Sequence, residues 1–352
     1  MKSKSFTLIE LLVVIVIIGI LVGVIVVSTS NNITKAQDTK LTSAMLGLNK
    51  ALKIYSLDSF PIETTACNIK TSCTNLKSKI DIPSIDQDIY YKTSPSGNFF
   101  VIYANKPSNT NLSFEINSDI EDVKEVPSFT NLVAYYPLSI GTSNGTTIAD
   151  MSSNSNNGTM VNGPIFTEGK DGNMNMASGF NGTNNYIDSG NKNFDYNTFT
   201  VSVWSKCVTN NSTEPGFPIH VTNLVGEGNW NTLNDWYLGY YGTGTSPATR
   251  LSFGYGIGCC GAGPSYSVNS FDLSKWNHIV GVATEANQIL YMNGVAVSTI
   301  PTTHVSVVNG YNFQIARSSY TDRFFKGSVD DVHIYNRALS AEEVKLLYNN
   351  GK

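Results

Sequence analysis

The chain has 352 residues, room for two or three domains at about 100–200 residues each. Only 14% of them are charged, Asn, Ser, Thr and Gly filling the space, and the formal net charge of −4 leaves no basic field to hold nucleic acid. Aromatic residues at 11% suit a β-rich core or a ligand-stacking surface.

The first element is an unbroken apolar run over 11–27, which Leu8 and Ile9 extend past a single carboxylate, Glu10. At about 1.5 Å per residue it spans about 30 Å, the thickness of a bilayer core. Lys2 and Lys4 precede it and place the N-terminus in the cytoplasm. A secretory signal peptide would have a shorter apolar core ending in small residues. An ionisable group inside a membrane costs about 2.5–3.5 kcal/mol and calls for a partner.

Residues 34–58 continue as an amphipathic helix: Leu41, Ala44, Met45, Leu48, Leu52 and Tyr55 fall on one stripe, with Lys40, Asn49 and Lys53 facing away. Pro61 ends it, so one helix occupies 6–60. Residues 61–118 read as a small β head, with strands at 89–92, 98–104 and 112–116 and a turn at Ser-Pro-Ser-Gly. The acidic stretch 119–125, closed by Pro127, reads as a solvated linker over 119–130. Cys67 and Cys73 are close enough to staple the opening loop of the head. Cys207 and the vicinal pair Cys259-Cys260 read either as one further bridge, with one thiol left over, or as buried free cysteines. No zinc spacing occurs among the five cysteines.

From residue 131 the texture changes to short alternating segments separated by Gly, Asn and Ser. FTVSVW at 199–204 alternates as a half-buried strand does, 276–284 and 288–292 are two more, and Asn293-Gly294 signals a type I′ hairpin. Many strands at regular spacing indicate an antiparallel β-sandwich over 131–352.

The opening KSFTLIELLVVI resembles the class III signal of type IV pilins and pseudopilins. The resemblance implies a five-residue leader, 1–5, cut by a prepilin peptidase between Ser5 and Phe6, with methylation of the new amine. Glu10 takes the family's glutamate position, where it neutralises the amine of Phe6 on a neighbouring subunit inside lipid. Ser5 stands where the family normally has Gly, which implies slower cutting. The segments IADMSSNSNNGTMV, GFNGTNNYID, WNHIVGV, LYMNGVAV and FKGSVDDVHIYNRALSAEEVKLLY resemble, in order, the concanavalin A-like, laminin-G-type jelly roll. Relatives of that kind hold a structural calcium, and the matching positions are Asp150 and Asp330; the other reading of the two acids is that they cap backbone turns. Ser340 and Glu343 form a capping box for a closing helix.

Glycan hydrolases of this superfold carry closely spaced acids on a catalytic strand. None occurs after residue 131, and Asp330-Asp331 are strand neighbours that should point to opposite faces. His278 and His333 read as packed strand residues. Trp230, Trp236, Tyr237, Tyr240 and Tyr241 cluster in a Gly/Asn-rich stretch and read either as a platform for sugar rings or as sandwich core. A loop over 254–264 would be pinned to Cys207 by Cys259.

The expectation is thus an α+β multidomain chain: a long transmembrane and spine helix with a small pilin-like β head, then an antiparallel jelly roll. Functionally it reads as a non-enzymatic minor pilin or pseudopilin, single-pass in the cytoplasmic membrane with its C-terminus outside. Its partners would be other pilin subunits, the prepilin peptidase and an extracellular glycan or protein. The alternatives are a pseudopilin of a type II-like secretion or DNA-uptake machine and, third, a tethered glycan-processing enzyme.

Overall fold

The computed structural model describes the backbone of residues 8–55, 59–191, 196–207, 219–223, 234–241, 250–257, 265–267, 272–301, 311–318 and 323–352. Side chains are described from residue 32 onward, but not those of 191, 219–223, 234–235, 241, 250, 255–257, 265–267, 311–312, 318 and 323.

One helix, α1 (Leu8–Tyr55), runs 48 residues without a break. Its membrane-type run lies outside the described side chains; among the described residues no helix is long and apolar enough to cross a membrane. In its second half Leu41, Met45, Leu48 and Leu52 are buried at three-four spacing, which is the stripe read from the sequence. Two positions depart from that reading. Asn49 is buried, and Tyr55 is 39% exposed.

The head is a meander in the order β1 (Cys67–Asn68), β2 (Tyr90–Thr93), β3 (Phe100–Asn105), β4 (Leu112–Asn117), β5 (Lys124–Pro127), antiparallel throughout. A short helix, α2 (Thr74–Lys77), follows the Cys67–Cys73 disulfide, the pairing expected. One face of this sheet, with Tyr91, Phe100, Ile102 and Ile116, closes over the α1 stripe. The segment read as a solvated linker is a strand in part. β5 pairs with β4, and Val126 is 6% exposed, because the charges of 119–125 hide one apolar strand position.

The C-terminal part begins with β6 (Leu132–Tyr136), β7 (Thr147–Ile148), β8 (Gly158–Val161), β9 (Ile165–Thr167) and β10 (Ala177–Asn181). Next come β11 (Tyr186–Asn191), β12 (Phe199–Cys207), β13 (Ile219–Asn223), β14 (Asn234–Tyr241), β15 (Arg250–Ile257) and β16 (Ser265–Ser267). The last are β17 (Asn277–Ala283), β18 (Asn287–Met292), β19 (Val295–Pro301), β20 (Tyr311–Ile315), β21 (Arg317–Ser318), β22 (Arg323–Phe324), β23 (Lys326–Tyr335) and helix α3 (Ala341–Asn350).

Two antiparallel sheets stack. The head-side sheet runs β19-β18-β17-β12-β23-β10-β9, with β6 also pairing β23; the far sheet runs β16-β15-β14-β13-β20-β11-β8-β7. Val201, Val203, Ile279 and Ile334 face Trp236, Leu238, Phe253 and Phe313 to make the core between them. Gly281 is required there: a Cβ would lie 2.3 Å from the Phe253 ring. The hairpin after β18 turns at Asn293 (φ 51°) and Gly294 (φ 78°), as a type I′ turn demands.

The outer face of the head-side sheet is buried as well, and this makes β12 buried on both sides rather than on one. Val280, Val282, Tyr291 and Tyr335 pack with Leu339, Val344 and Leu347 around α3, and the same cluster takes in Phe99, Val101, Tyr103, Val126 and Phe129 of the head and its exit. Head and sandwich therefore share a core. Ser340 and Glu343 form the expected capping box on α3, and Arg337 pairs with Glu343 while donating to the Asn111 carbonyl of the head at 3.3 Å.

Candidate functional site

A cleft of ≈ 110 Å³ opens where head meets sandwich. The head lines it with Glu115, Asn117 and Asp119, and the sandwich with Tyr135, Lys170, Asp171, Asp330, Asp331 and His333. Strand geometry alone sends neighbouring side chains to opposite faces, yet Asp330 and Asp331 both reach Lys170: its Nζ lies 2.7 Å from Asp331 Oδ2 and 3.7 Å from Asp330 Oδ2. The reason is a bulge. Opposite β12 the register slips between Ser202 and Trp204, and Asp331 takes φ 47°, a left-handed conformation that Asp tolerates.

Burial pushes the Asp330 carboxyl up to about 7, against the pull of Lys170. Asp331 is also penalised by burial, but the closer ammonium wins and holds it below the usual carboxylate range. Burial likewise raises Glu115 to about 7, although Asn117 Nδ2 donates to its Oε1 at 3.1 Å. Paired carboxylates whose pKa values are pushed apart can serve acid-base chemistry. Here the charged member is bonded to Lys170, and the cleft is well short of the roughly 300–1,000 Å³ of ligand pockets. It is an ion cluster at a domain junction. No local pattern marks it, because its members come from β4, β6, β23 and two loops.

Asp150 is fully buried behind β6 and has all four lone-pair directions filled. Oδ1 accepts from the amides of Tyr135 (2.9 Å) and Ser152 (2.8 Å), and Oδ2 from Ser152 Oγ (2.8 Å) and the amide of Asn156 (2.7 Å). Lys92 of the head, 2% exposed, donates its Nζ to the Ser152 carbonyl at 2.5 Å and to Ser155 Oγ at 3.4 Å. The donor set at the two positions expected to hold calcium fits that ion poorly. Calcium wants about six to eight oxygens, whereas Asp150 is saturated by N–H and O–H donors and Asp330 is paired to Lys170. Among the described residues no group of three His, Cys, Asp or Glu side chains is arranged to hold a metal ion. Asp150 accepts from the amides of Ser152 and Asn156 as a turn cap does.

The aromatic platform is corrected. Trp236, Tyr237 and Tyr240 are 2%, 3% and 1% exposed. Trp236 packs against Phe199 at 5.1 Å, Tyr240 bonds Ser205 Oγ at 2.8 Å, and Tyr237 lies over Gly254 with its hydroxyl 3.3 Å from Ser252 Oγ. The side chains of Trp230 and Tyr241 lie outside the described residues. Cys207 is a free, buried thiol rather than half of a bridge, and burial pushes its pKa up; Cys259 lies outside the described residues. His278 and His333 are packed as expected, His278 against Ser202 Oγ at 2.8 Å and His333 stacked on Tyr135 at 4.3 Å. Ser5, Phe6 and the side chain of Glu10 lie outside the described residues.

Comparison with known proteins agrees with this architecture at both ends. The prokaryotic N-terminal methylation motif matches residues 1–26, and the concanavalin A-like lectin/glucanases superfamily matches residues 181–345. Type II secretion system core protein G of Escherichia coli K12 is 42% identical over 64 residues, 18% of this chain and 44% of that protein. The protein of the same name from Klebsiella michiganensis is 34% identical over 94 residues, 27% of this chain and 66% of that protein. The chain thus spans under half the length of the first of these relatives. Among solved structures, domain 4 of an extracellular arabinanase from Geobacillus stearothermophilus is 20% identical with a TM-score of 0.45, covering 62% of this chain and 98% of that one. The binding domain of botulinum neurotoxin serotype G is 16% identical with a TM-score of 0.47, covering 62% and 51%. The chain joins a prepilin-type N-terminal methylation motif of the pilin and pseudopilin kind to a concanavalin A-like, laminin-G-type sandwich.

Proposed function

We propose that this chain is a minor pilin or pseudopilin, anchored in the cytoplasmic membrane, whose sandwich is displayed outside for non-covalent recognition of a glycan or surface protein. One observation carries the reading: the methylation motif over 1–26 overlaps the start of a 48-residue helix whose second half is the wall of the head. Cleavage between Ser5 and Phe6 would free an amine that Glu10 of a neighbouring subunit neutralises in lipid, where a charge pair is weakly screened. The shared core then fixes how the sandwich projects from the assembled helix. Catalysis is not part of the reading, since the acid-rich cleft at the junction is small and holds its own lysine. Of the stacking residues, Trp230 and Tyr241 carry the glycan expectation forward, tested by glycan-array binding of W230A and Y241A proteins.

A second reading is favoured by the relatives, which bear the name of a type II secretion core protein. In it the chain is a pseudopilin and the sandwich recruits a secreted substrate. Imaging of the labelled sandwich on intact and permeabilised cells separates the two. Staining of external fibres supports display, staining confined to the envelope supports recruitment, and a label found only in the cytoplasm overturns both.

A further inference from the structure

We propose that the ammonium of Lys92, carried by the head, is the built-in cation of the sandwich's Asp150 loop, taking the part that a bound metal would otherwise play. The argument starts from strand parity. On β2, Tyr91 points into the head core, so Lys92 is sent to the other face, toward the sandwich, beside Val101 of β3. A lysine buried to 2% in such a place needs acceptors, and the sandwich provides them in the Ser152 carbonyl and Ser155 Oγ.

The loop is built around this contact. Ser152 offers its carbonyl to the ammonium while its amide and hydroxyl both bond the Asp150 carboxylate, so one residue links the two buried charges. Ser155 adopts φ 57°, a backbone state that non-glycine residues hold only when the surroundings impose it. Tyr136 closes the far side by donating its hydroxyl to the Asn156 carbonyl. A fully buried carboxylate without a nearby positive charge would be costly even with four hydrogen bonds. Asp330 shows the same substitution: the charge near it is Lys170, 3.7 Å away. Of the two acids that resemblance assigns to a divalent ion, Asp330 thus has Lys170 beside it, and Asp150 is joined through Ser152 to Lys92, which comes from a different domain.

Two consequences follow. The sandwich is indifferent to calcium, and its 150–157 loop is complete only while the head is docked. The test uses the full chain in detergent micelles. Thermal melting of the wild-type protein should be unmoved by millimolar calcium or by a chelator; a midpoint that rises with calcium overturns the proposal. In K92M, the amides of Ser152 and Asn156 should exchange hydrogen at least about tenfold faster, while those of Val201 and Val203 in β12 stay protected. Unchanged exchange at the loop overturns it. If K92M does not fold, S155A keeps the ammonium and takes away one acceptor: faster exchange confined to the loop supports the proposal, and wild-type protection there contradicts it.

Discussion

Phe129 is the residue on which the shared core can be weighed. It follows β5, is 4% exposed, and stacks on Tyr103 of β3 with ring centroids 4.2 Å apart and planes 9° from parallel. Its amide donates to Ser113 Oγ of β4 at 3.2 Å, and its ring belongs to the cluster that also holds Val280, Tyr335 and Leu347. Phe129→Ala removes a buried ring from both domains at once, which costs about 3–5 kcal/mol. The stacked pair accounts for about 0.5–1.5 kcal/mol of that. In a folded unit of this size each kcal/mol lowers the midpoint by about 2–4 °C, so F129A should melt about 10 °C below wild type. The assay is thermal unfolding of the full chain in detergent, followed both by tryptophan fluorescence and by hydrogen exchange of head strands. With one shared core the two probes fall together. A shift under about 2 °C, or a sandwich transition that stays in place while only the head melts early, would refute the shared core.

The junction cluster sets a pH dependence. Glu115 and Asp330 are raised to about 7, so they favour the fold most when protonated, and that contribution is lost as pH rises through about 7. Burial holds His278 and His333 down, which acts the other way over the same interval, so the acids are read by difference: from about pH 8 to pH 5.5 the wild-type midpoint should gain more than that of E115Q, and an equal change in the two contradicts the burial argument. In strong acid the sign reverses, since Asp331 is held below the ordinary range and its pairing with Lys170 is lost on protonation. Trp236→Ala should lower sandwich stability by about 3–5 kcal/mol, read by chemical denaturation, rather than remove ligand binding from a fold of wild-type stability. Replacing Cys67 and Cys73 together by Ala opens a short loop and should cost about 2 kcal/mol, while Cys207 stays unmodified by thiol reagents until the protein unfolds.

Local chemistry was legible in the sequence. Periodicity located the stripe on α1, Asn293-Gly294 gave the hairpin after β18, and Ser340 with Glu343 gave the start of α3. What escaped was contact between distant segments. β5 was masked by the acids at 119–125, because its one deeply apolar position, Val126, is buried by α3 and the sandwich rather than by its own neighbours. Trp236 and Tyr240 looked available for sugars because alternation marks a face without saying which face meets the other sheet. The bulge at Asp331 needs a register that exists only once β12 is paired. Lys92 reads as an ordinary strand lysine until the loop around Asp150, 58 positions further on, closes on it.

The most direct measurement is incorporation of E10Q subunits into polymer in cells that also express wild-type partners. With the carboxylate gone the amine of the neighbouring Phe6 has no counter-charge, and the subunit should remain in the membrane fraction, processed but absent from sheared fibres or cross-linked pseudopili. Recovery of E10Q in the polymer at the wild-type level would contradict the assembly role on which the proposed function stands.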